Sequence, residues 1–476
     1  MSTPAARLQS RHHLLGLLLL LASLGLVAID IFWGFWDHDS GFYLNQSAMM
    51  AAGLKPFVDF ITIYPPLFNG LNAIPVALGV HPWTLLWAVP LFWISANCLL
   101  TVAYLRRATR ERWPAWSAWV GGIAFALYCI DSGGNHNTLE HGVVFFGLAS
   151  LLAFEGYAGL RFLAVGALVA CATLSKQVGV LLLIPFATQV RSWRQALQLS
   201  AGFIAPLVVC LAWLQFDVDA IARSFEALKG YVGDDEPASG PWLLLQKFVV
   251  VCLTDLGRAP WIFIQSAACW GLGMYGVLLL VRRREYRSAA WLAAWMLVGA
   301  MFYGARVKNN FPHYSINLWP PIVAVVGTCA AVVPSTVCRR LFQAATALSV
   351  AFLVVFSWRI HDMVGKPYFT RWEHGGNLFF LKRVAEEIRR DVSPQASITQ
   401  LGMEESVILF MAGFLPRNKD WGPYHMVAEL EGDGILFTDY GQSEAAQRKK
   451  EILARGYKLA KVWSSSQWGT IQLYWR

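Results

Sequence analysis

The chain is predicted to be a polytopic α-helical membrane protein, because apolar segments of membrane-spanning length recur along most of it. Of its 476 residues, 56% are hydrophobic and only 14% are charged, whereas soluble domains carry about 25% charged residues. Apolar runs of about 20 residues, the length that crosses a bilayer's hydrocarbon core, recur between Leu14 and Phe356. The charged residues gather where these runs end.

Clusters of arginine between the runs predict the topology. The first run, Leu14–Phe35, is interpreted as a retained span, because no small-residue cleavage site follows it. Later runs are separated by basic clusters that begin at Arg106, Arg191, Arg282 and Arg339, and such clusters mark cytoplasmic loops. The pattern predicts roughly eleven spans and a cytoplasmic N-terminus. The net charge of +9 is therefore assigned to topology, since a nucleic-acid binder would carry its basic residues along one soluble face.

Two regions differ in composition. Residues 1–358 are predicted to form the membrane domain, within which residues 36–82 form a first outer loop. This loop holds two candidate interfacial helices, at residues 42–56 and 67–80. Residues 359–476 become more charged and are predicted to be a small extracytoplasmic α/β domain. Its predicted helices are Gly376–Arg390 and Glu444–Arg455, and its predicted strands are Ser397–Leu401, Ile435–Asp439, Leu459–Ser464 and Thr470–Tyr474.

Acidic residues in the first outer loop are the first candidates for chemistry. Asp39 follows the first span closely, and Asp59 lies 20 residues further on. A carboxylate just outside the membrane could act as a general base towards an acceptor hydroxyl or amine. The alternative is a solvated acid that stabilises a helix N-terminus, and composition alone favours neither.

Several motifs, in order, resemble the GT-C glycosyltransferases, especially bacterial members of the protein O-mannosyltransferase and aminoarabinose transferase group. The first loop reads Asp39-Ser40-Gly41-x-Tyr43, then Gly53-x-x-Pro56-x-x-Asp59-Phe60, then Pro65-Pro66-Leu67. The later pieces are Asn137-x-x-Glu140, Leu174-Ser175-Lys176-Gln177 and Phe311-Pro312-His313-Tyr314. Together they cover most of residues 1–335. The resemblance implies a GT-C fold in a bacterial inner membrane.

The resemblance also implies a reaction. The donor would be a sugar on a polyprenyl phosphate, and the acceptor an envelope glycan, lipid or protein outside the membrane. Asp39 takes the position of the family's first-loop acid, which acts as base or orients the acceptor, and Asp59 is the second catalytic candidate. Many relatives have Asp-Glu where this chain has Asp39-Ser40, so no metal ligand is carried over to Ser40. A divalent cation is the one cofactor that stays open.

The donor phosphate would need cations. Lys176, Arg306 and Lys308 are the candidates on the predicted outer side, because lysine and arginine are the usual phosphate ligands. Lipid headgroup contact is the alternative for Arg306 and Lys308, and an interfacial anchor is the alternative for Lys176. Lys176 joins two short apolar segments, Arg161–Leu174 and Val178–Val190, predicted to form a hairpin or a re-entrant element.

Four further residues complete the predicted substrate site. Glu140 could accept a hydrogen bond from substrate or hold a cation, or it could simply be an acid at a helix N-terminus. His313 is as consistent with a structural histidine as with a ligand. Tyr314 belongs to the same His-Tyr segment, and Tyr64 precedes the Pro65-Pro66 pair of the first loop.

Two functions of other classes compete with glycosyl transfer. A transporter or flippase of a lipid-linked or polar solute would also have many spans. Transporters often show paired inverted halves with broken helices near the membrane midplane, and the sequence has no evident pairing of this kind. An assembly subunit with an outer binding domain is the third possibility. The acids gather at the outer edge, which favours chemistry at the membrane surface.

Overall fold

The computed structural model describes most of the predicted elements. It covers residues 4–33, 39–60, 64–109, 116–132, 136–156, 159–222, 260–304, 312–334, 378–401, 405–414, 432–438, 445–465 and 469–476, and the single residues 62, 336, 340 and 351. The helices of the membrane region are α1 (Pro4–Trp33), α2 (Asp39–Ala51), α3 (Leu67–Ala77), α4 (Pro82–Ala108), α5 (Trp116–Asp131), α6 (Glu140–Gly156), α7 (Arg161–Ser175), α8 (Leu183–Ala187), α9 (Trp193–Trp213), α10 (Pro260–Arg282), α11 (Tyr286–Gly304) and α12 (Trp319–Val332). Two 3-10 segments, Gln177–Leu182 and Pro312–Leu318, precede α8 and α12.

Among the described residues, five helical segments have the length and composition to cross a membrane. They are His13–Phe32, Pro82–Ala108, Trp193–Trp213, Phe263–Arg282 and His313–Val332. Shorter apolar helices pack between them. The total of roughly eleven spans stays a prediction, because the last predicted span, residues 341–358, lies outside the described residues apart from position 351.

Local chemistry explains where the helices begin and end. Helix α4 starts with Pro82, whose missing N–H is not needed in the first turn, and the His81 side chain accepts a hydrogen bond from the Trp83 N–H at 3.2 Å. The same helix ends in Arg106 and Arg107, where cations complement the helix dipole. Basic residues therefore stabilise the helix end that the predicted topology places in the cytoplasm.

Glycines let α7 and α9 pack backbone to backbone. A Cβ at Gly166 would lie 2.2 Å from the Leu199 carbonyl oxygen, and one at Gly202 would lie 2.1 Å from the Leu163 carbonyl oxygen. Such distances leave no room for any side chain. This close approach fixes the position of α7, and therefore that of Lys176, the residue that follows its last turn.

The segment after α7 is a hairpin with a short return. Lys176 is extended, with φ −154° and ψ 137°, and interrupts the helix directly after Ser175. The chain then turns back through the 3-10 segment and α8. Gly179 allows the return, because a Cβ there would lie 2.4 Å from the Ala172 carbonyl carbon. The predicted pair of short segments is thus an antiparallel hairpin with Lys176 at its turn.

The described residues after position 377 form a C-terminal unit with a four-stranded sheet. Its elements are α13 (Leu378–Asp391), β1 (Ile398–Leu401), α14 (Glu405–Ala412), β2 (Gly434–Thr438), α15 (Ala445–Ala454), β3 (Lys458–Ser465) and β4 (Gly469–Trp475). The strand order is β1-β2-β4-β3. Only the β1–β2 pair is parallel. The four predicted strands and two predicted helices agree with these bounds to within two residues, whereas α14 was not predicted.

The two faces of this sheet carry separate cores. Strand β2 alternates, with Leu436 on one face and Ile435 and Phe437 on the other, as a pleated strand requires. Ile435 and Phe437 pack with Ile452 of α15. Leu436 belongs instead to a larger cluster that includes residues of α13, α14 and the first outer loop. One face of the sheet therefore packs towards the membrane region.

The first-loop helices were predicted to lie in the membrane interface, and the structure places α2 in more enclosed surroundings. Every residue from Ser40 to Ser47 is buried, including the polar Asn45 and Gln46. Helix α14 covers one side of α2, and α3 covers another. The helix also begins at Asp39 and ends at Ala51, earlier than the predicted 42–56.

Candidate functional site

A buried ion pair links two of the predicted site residues. The Lys176 ammonium donates to Glu140 Oε1. The Glu140 side chain is 1% exposed and that of Lys176 is 13% exposed. Glu140 is the first residue of α6, so it also lies at the positive end of a helix dipole. Glu140 is therefore a helix N-terminal acid that binds the Lys176 ammonium, and its contact with substrate stays a prediction.

Thr138 completes the hydrogen bonding of this carboxylate. Its hydroxyl donates to Glu140 Oε2, and the hydroxyl oxygen, Thr138 Oγ1, accepts the Glu140 backbone N–H at 3.2 Å. Each carboxylate oxygen of Glu140 thus has a donor, as a charge in a buried layer requires. Sequence reasoning did not single out Thr138, although a threonine two residues before a helix N-terminal acid is an ordinary local hydrogen-bonding partner.

Aromatic rings border the lysine. The Lys176 Nζ lies 4.0 Å from the centroid of the Tyr314 ring, within the range of a cation–π contact. The His313 ring lies edge-on to Tyr314, with centroids 4.6 Å apart, and the His136 ring is 5.2 Å from His313. The predicted His-Tyr segment and the predicted Lys-Gln hairpin therefore meet at Lys176.

The first outer loop is joined to this cluster through its backbone. The Asn137 N–H donates to Ser40 Oγ at 2.9 Å, which ties the start of α2 to the segment that leads into α6. Asp39 is the residue before Ser40 and the first residue of α2. Its side chain lies outside the described residues, so its place is known from the helix start alone.

A layer of buried amides extends from α2 towards Glu140. Asn69 Nδ2 donates to Gln46 Oε1 at 2.6 Å. Asn72, one turn along α3, donates through Nδ2 to Asn137 Oδ1 at 3.2 Å and accepts from Trp93 Nε1 at 2.9 Å. Sequence reasoning passed over these amides, although two asparagines three residues apart in an apolar helix are a signal for such a layer.

The other first-loop candidates lie apart from the ion pair in their contacts. Asp59 is exposed, and its carboxylate accepts the Lys55 N–H at 2.6 Å, which closes a local turn. Tyr64 is half-buried, with its ring centroid 5.5 Å from Tyr43 and 6.2 Å from Phe42. The catalytic role of Asp59 stays a prediction, and the structure assigns its carboxylate a capping contact.

The remaining predicted cations cannot be placed. Arg306 and Lys308 lie outside the described residues. In the chain they fall between the end of α11 and the 3-10 segment that carries Tyr314. Within the described part of the chain, no three His, Cys, Asp or Glu side chains are grouped so that they could hold a metal ion.

The comparisons with known proteins give the fold. No protein-family model and no curated protein matches the chain. Among solved structures, ArnT from Cupriavidus metallidurans in the apo state has a TM-score of 0.59 and 14% identity, over 99% of this chain and 98% of that chain. The same enzyme bound to undecaprenyl phosphate has a TM-score of 0.58 and 14% identity, over 97% of each chain.

A more distant match is the archaeal oligosaccharyltransferase AglB from Archaeoglobus fulgidus. Its TM-score is 0.44 at 12% identity, over 84% of this chain and 64% of that chain. The ArnT match spans both chains almost completely, from the first helix to the C-terminal unit. The chain therefore shares the overall fold of ArnT, in agreement with the resemblance of its motifs to that group.

Proposed function

We propose that the chain is a glycosyltransferase that moves a sugar from a polyprenyl-phosphate donor to an extracytoplasmic acceptor at the outer face of a bacterial inner membrane. The observation that carries the proposal is the convergence of Lys176, Tyr314 and the Ser40–Asn137 link at one end of the helical bundle. Support also comes from the fold, since the ArnT structure binds undecaprenyl phosphate. Fold alone does not give function, so the site residues carry the argument.

Lys176 is the proposed phosphate ligand among the described residues. An ammonium carries three N–H donors, and the ion pair with Glu140 uses one of them. The pair has no net charge, however, so an incoming phosphate needs further positive charge. Arg306 and Lys308 are proposed to supply it, because they lie within eight residues of Tyr314 in the chain. Glu140 is proposed to hold the Lys176 side chain in its orientation.

Asp39 is the proposed general base or acceptor-orienting group. Asp39 is the first residue of α2 and directly precedes Ser40, whose hydroxyl oxygen accepts a hydrogen bond from the Asn137 N–H. Asn137 lies three residues before Glu140. This connection supports a donor phosphate and an acceptor nucleophile meeting near the same end of the bundle. The base would take the proton of an acceptor hydroxyl or amine while the sugar leaves the polyprenyl phosphate.

The test is transfer by purified protein in liposomes that contain a panel of polyprenyl-phosphate sugars, with released polyprenyl phosphate as the readout. Asp39→Asn keeps the shape of the side chain and removes its basicity, so turnover should fall by about 10²–10⁴-fold. Asp37→Asn is the matched control and should retain near-normal turnover. A folded Asp39→Asn variant with normal turnover would remove Asp39 from catalysis.

The same assay separates this function from transport. A flippase or transporter would move lipid-linked sugar across the bilayer without cleaving it, and polyprenyl phosphate would not be released. The similar structures give no support to a transporter. Measurement of sugar translocation in the same liposomes would identify a transporter directly.

A further inference from the structure

The first turn of α2 lies between two anchors. On one side, Ser40 Oγ accepts the Asn137 N–H at 2.9 Å. On the other side, Gly41 faces α14 of the C-terminal unit so closely that a Cβ at Gly41 would lie 2.5 Å from both the backbone nitrogen and Cγ2 of Val407. The two contacts fall within two residues of Asp39. The start of this helix therefore depends on the C-terminal unit as well as on the bundle.

Beyond this contact, α2 and the C-terminal unit share one hydrophobic core. Phe42, Tyr43 and Leu44 of α2 are at most 5% exposed and belong to the same buried cluster as residues of α13 and α14. Leu139, just before Glu140, belongs to it as well. The members from α13 and α14 are Phe380, Leu381, Val384, Ala385, Ile388, Val407, Ile408, Leu409, Phe410, Met411 and Ala412. Interiors of this kind are close-packed and transmit displacements between their elements.

A second contact fixes the orientation of the C-terminal unit on the bundle. The Lys382 Nζ of α13 lies 4.8 Å from the ring centroid of Trp83, at the start of α4. Trp83 in turn packs against Phe32 near the end of α1, with ring centroids 6.2 Å apart. Two helices of the unit, α13 and α14, thus meet the membrane region at different places, and two separate contacts restrict rotation of the unit about Gly41.

We infer that Val407 is a positioning residue for the transfer reaction: helix α14 presses on Gly41 and holds the first turn of α2, and so Asp39, in the geometry that the acceptor requires. This inference rests on the proposed function, because it assumes that Asp39 acts on the acceptor. The C-terminal unit would then contribute to catalysis by positioning the residue that acts on the acceptor. Val407 acts through α2 and does not touch the donor site at Lys176.

The expected size of the effect follows from the Gly41 contact. Ordinary van der Waals contact begins at about 3.4 Å, whereas a Cβ at Gly41 would lie 2.5 Å from the Val407 nitrogen. Because that neighbour is backbone, one helix must move by about 0.9 Å in Gly41→Ala. A misplacement of about 1 Å in a catalytic constellation can lower the rate about 10²-fold. Val407→Ala removes only a side-chain contact and should give a smaller loss in the same direction.

The experiment compares Gly41→Ala, Val407→Ala and Ile452→Ala in full-length protein in liposomes. Ile452 is a matched control, because it is equally buried in the C-terminal unit but lies in the core on the other face of the sheet. Gly41→Ala and Val407→Ala should each have a lower kcat and an unchanged donor KM. Ile452→Ala should retain normal kcat at temperatures where it is folded. In Val407→Ala, the amides of residues 40–46 should exchange hydrogen faster than in the control.

The outcomes separate this inference from the proposed function. Normal kcat in folded Val407→Ala and Gly41→Ala, with Asp39→Asn inactive, would overturn the positioning role and leave the proposed function intact. Equal losses in Val407→Ala and Ile452→Ala would also overturn it, because only general destabilisation would then explain them. If Gly41→Ala does not fold, Val407→Ala with its kcat and exchange measurements carries the test alone. A fully active Asp39→Asn would instead count against the proposed function.

Discussion

Replacing Glu140 by glutamine leaves the Lys176 ammonium without its counter-charge in a layer where little water reaches it. At an ordinary ion-pair contact of about 2.8 Å and an effective dielectric constant of about 20, the Coulomb attraction is about 6 kcal/mol. Partial exposure of the Lys176 side chain, at 13%, screens part of this attraction. Removing one partner of a buried pair typically costs about 3–5 kcal/mol, and we expect Glu140→Gln to fall in that range.

A double-mutant cycle distinguishes loss of the pair from loss of two separate side chains. Lys176→Met leaves a buried carboxylate that only Thr138 still satisfies, so it should be about as destabilising as Glu140→Gln. The double variant should cost less than the sum of the two, by about 0.5–3 kcal/mol. Chemical unfolding in mixed micelles measures the unfolding free energies. Glu386→Gln, which breaks an exposed pair with Lys382, is the control and should cost less than about 1 kcal/mol.

Additive costs within about 0.5 kcal/mol would refute the coupling between Glu140 and Lys176. Donor affinity adds an independent measurement. If Lys176 binds the donor phosphate, Lys176→Met should raise the donor KM, and the added Glu140→Gln should not lower it again, because no cation is restored. A double variant with normal donor KM would show that the pair is structural and that the phosphate is bound elsewhere.

Three further outcomes follow from the structure. Gly166→Ala should destabilise the protein by about 1–3 kcal/mol in the unfolding assay, because the new methyl group would lie 2.2 Å from a backbone carbonyl oxygen. Gly271→Ala is the control and should be neutral or stabilising, because a Cβ there would have no atom within 4 Å. Hydrogen bonds from Arg390 and then from Lys461 of β3 lower the pKa of Asp391 from 3.8 to about 2. The stability that the Asp391 carboxylate contributes is present above pH 4 and is lost as pH falls from about 4 to 2. Asp391→Asn should therefore reduce the fall in the thermal midpoint across that pH window. A reporter enzyme fused after Trp358 should be active outside the cytoplasm and one fused after Arg284 inside, and the reverse pattern would overturn the topology.

Helices and strands were predictable where the apolar residues of the local sequence form one clear pattern. In the membrane region, the bilayer demands about 20 apolar residues per span, which makes apolar runs stand out, and α7 agrees with the predicted segment Arg161–Leu174 to within one residue. In the C-terminal unit, the four predicted strands agree with the observed ones to within one residue at each end. Helix α14 was missed because its residues, from Val407 to Ala412, are apolar on every side, so no helical face stands out.

The site was predictable as a set of separate residues but not as an assembly. Glu140 and Lys176 are 36 positions apart, and their pairing depends on the turn at Lys176, on the backbone contact of α7 with α9 and on the start of α6. The burial of α2 was missed for the same reason, because it depends on contacts with elements that lie elsewhere in the chain. Its interfacial appearance came from a mixed polar and apolar sequence, while its polar residues are in fact enclosed by α3 and α14, which a local pattern does not report.

The lengths of the two helices at the site bear on how a lipid-linked donor could reach it. Helix α6 has 17 residues and α7 has 15, which at 1.5 Å per residue gives about 26 Å and about 22 Å. The hydrocarbon core is about 30 Å thick, and the predicted topology places the turn between these helices, at Gly156 and Arg161, on the inner side. In that topology their other ends, at Glu140 and Ser175, would fall short of the outer surface. Polar groups at that depth must be satisfied by protein, which accounts for the ion pair and its threonine. If the predicted topology holds, a site at this depth would let the phosphate of a membrane-embedded lipid meet Lys176 while the lipid chain stays in the bilayer.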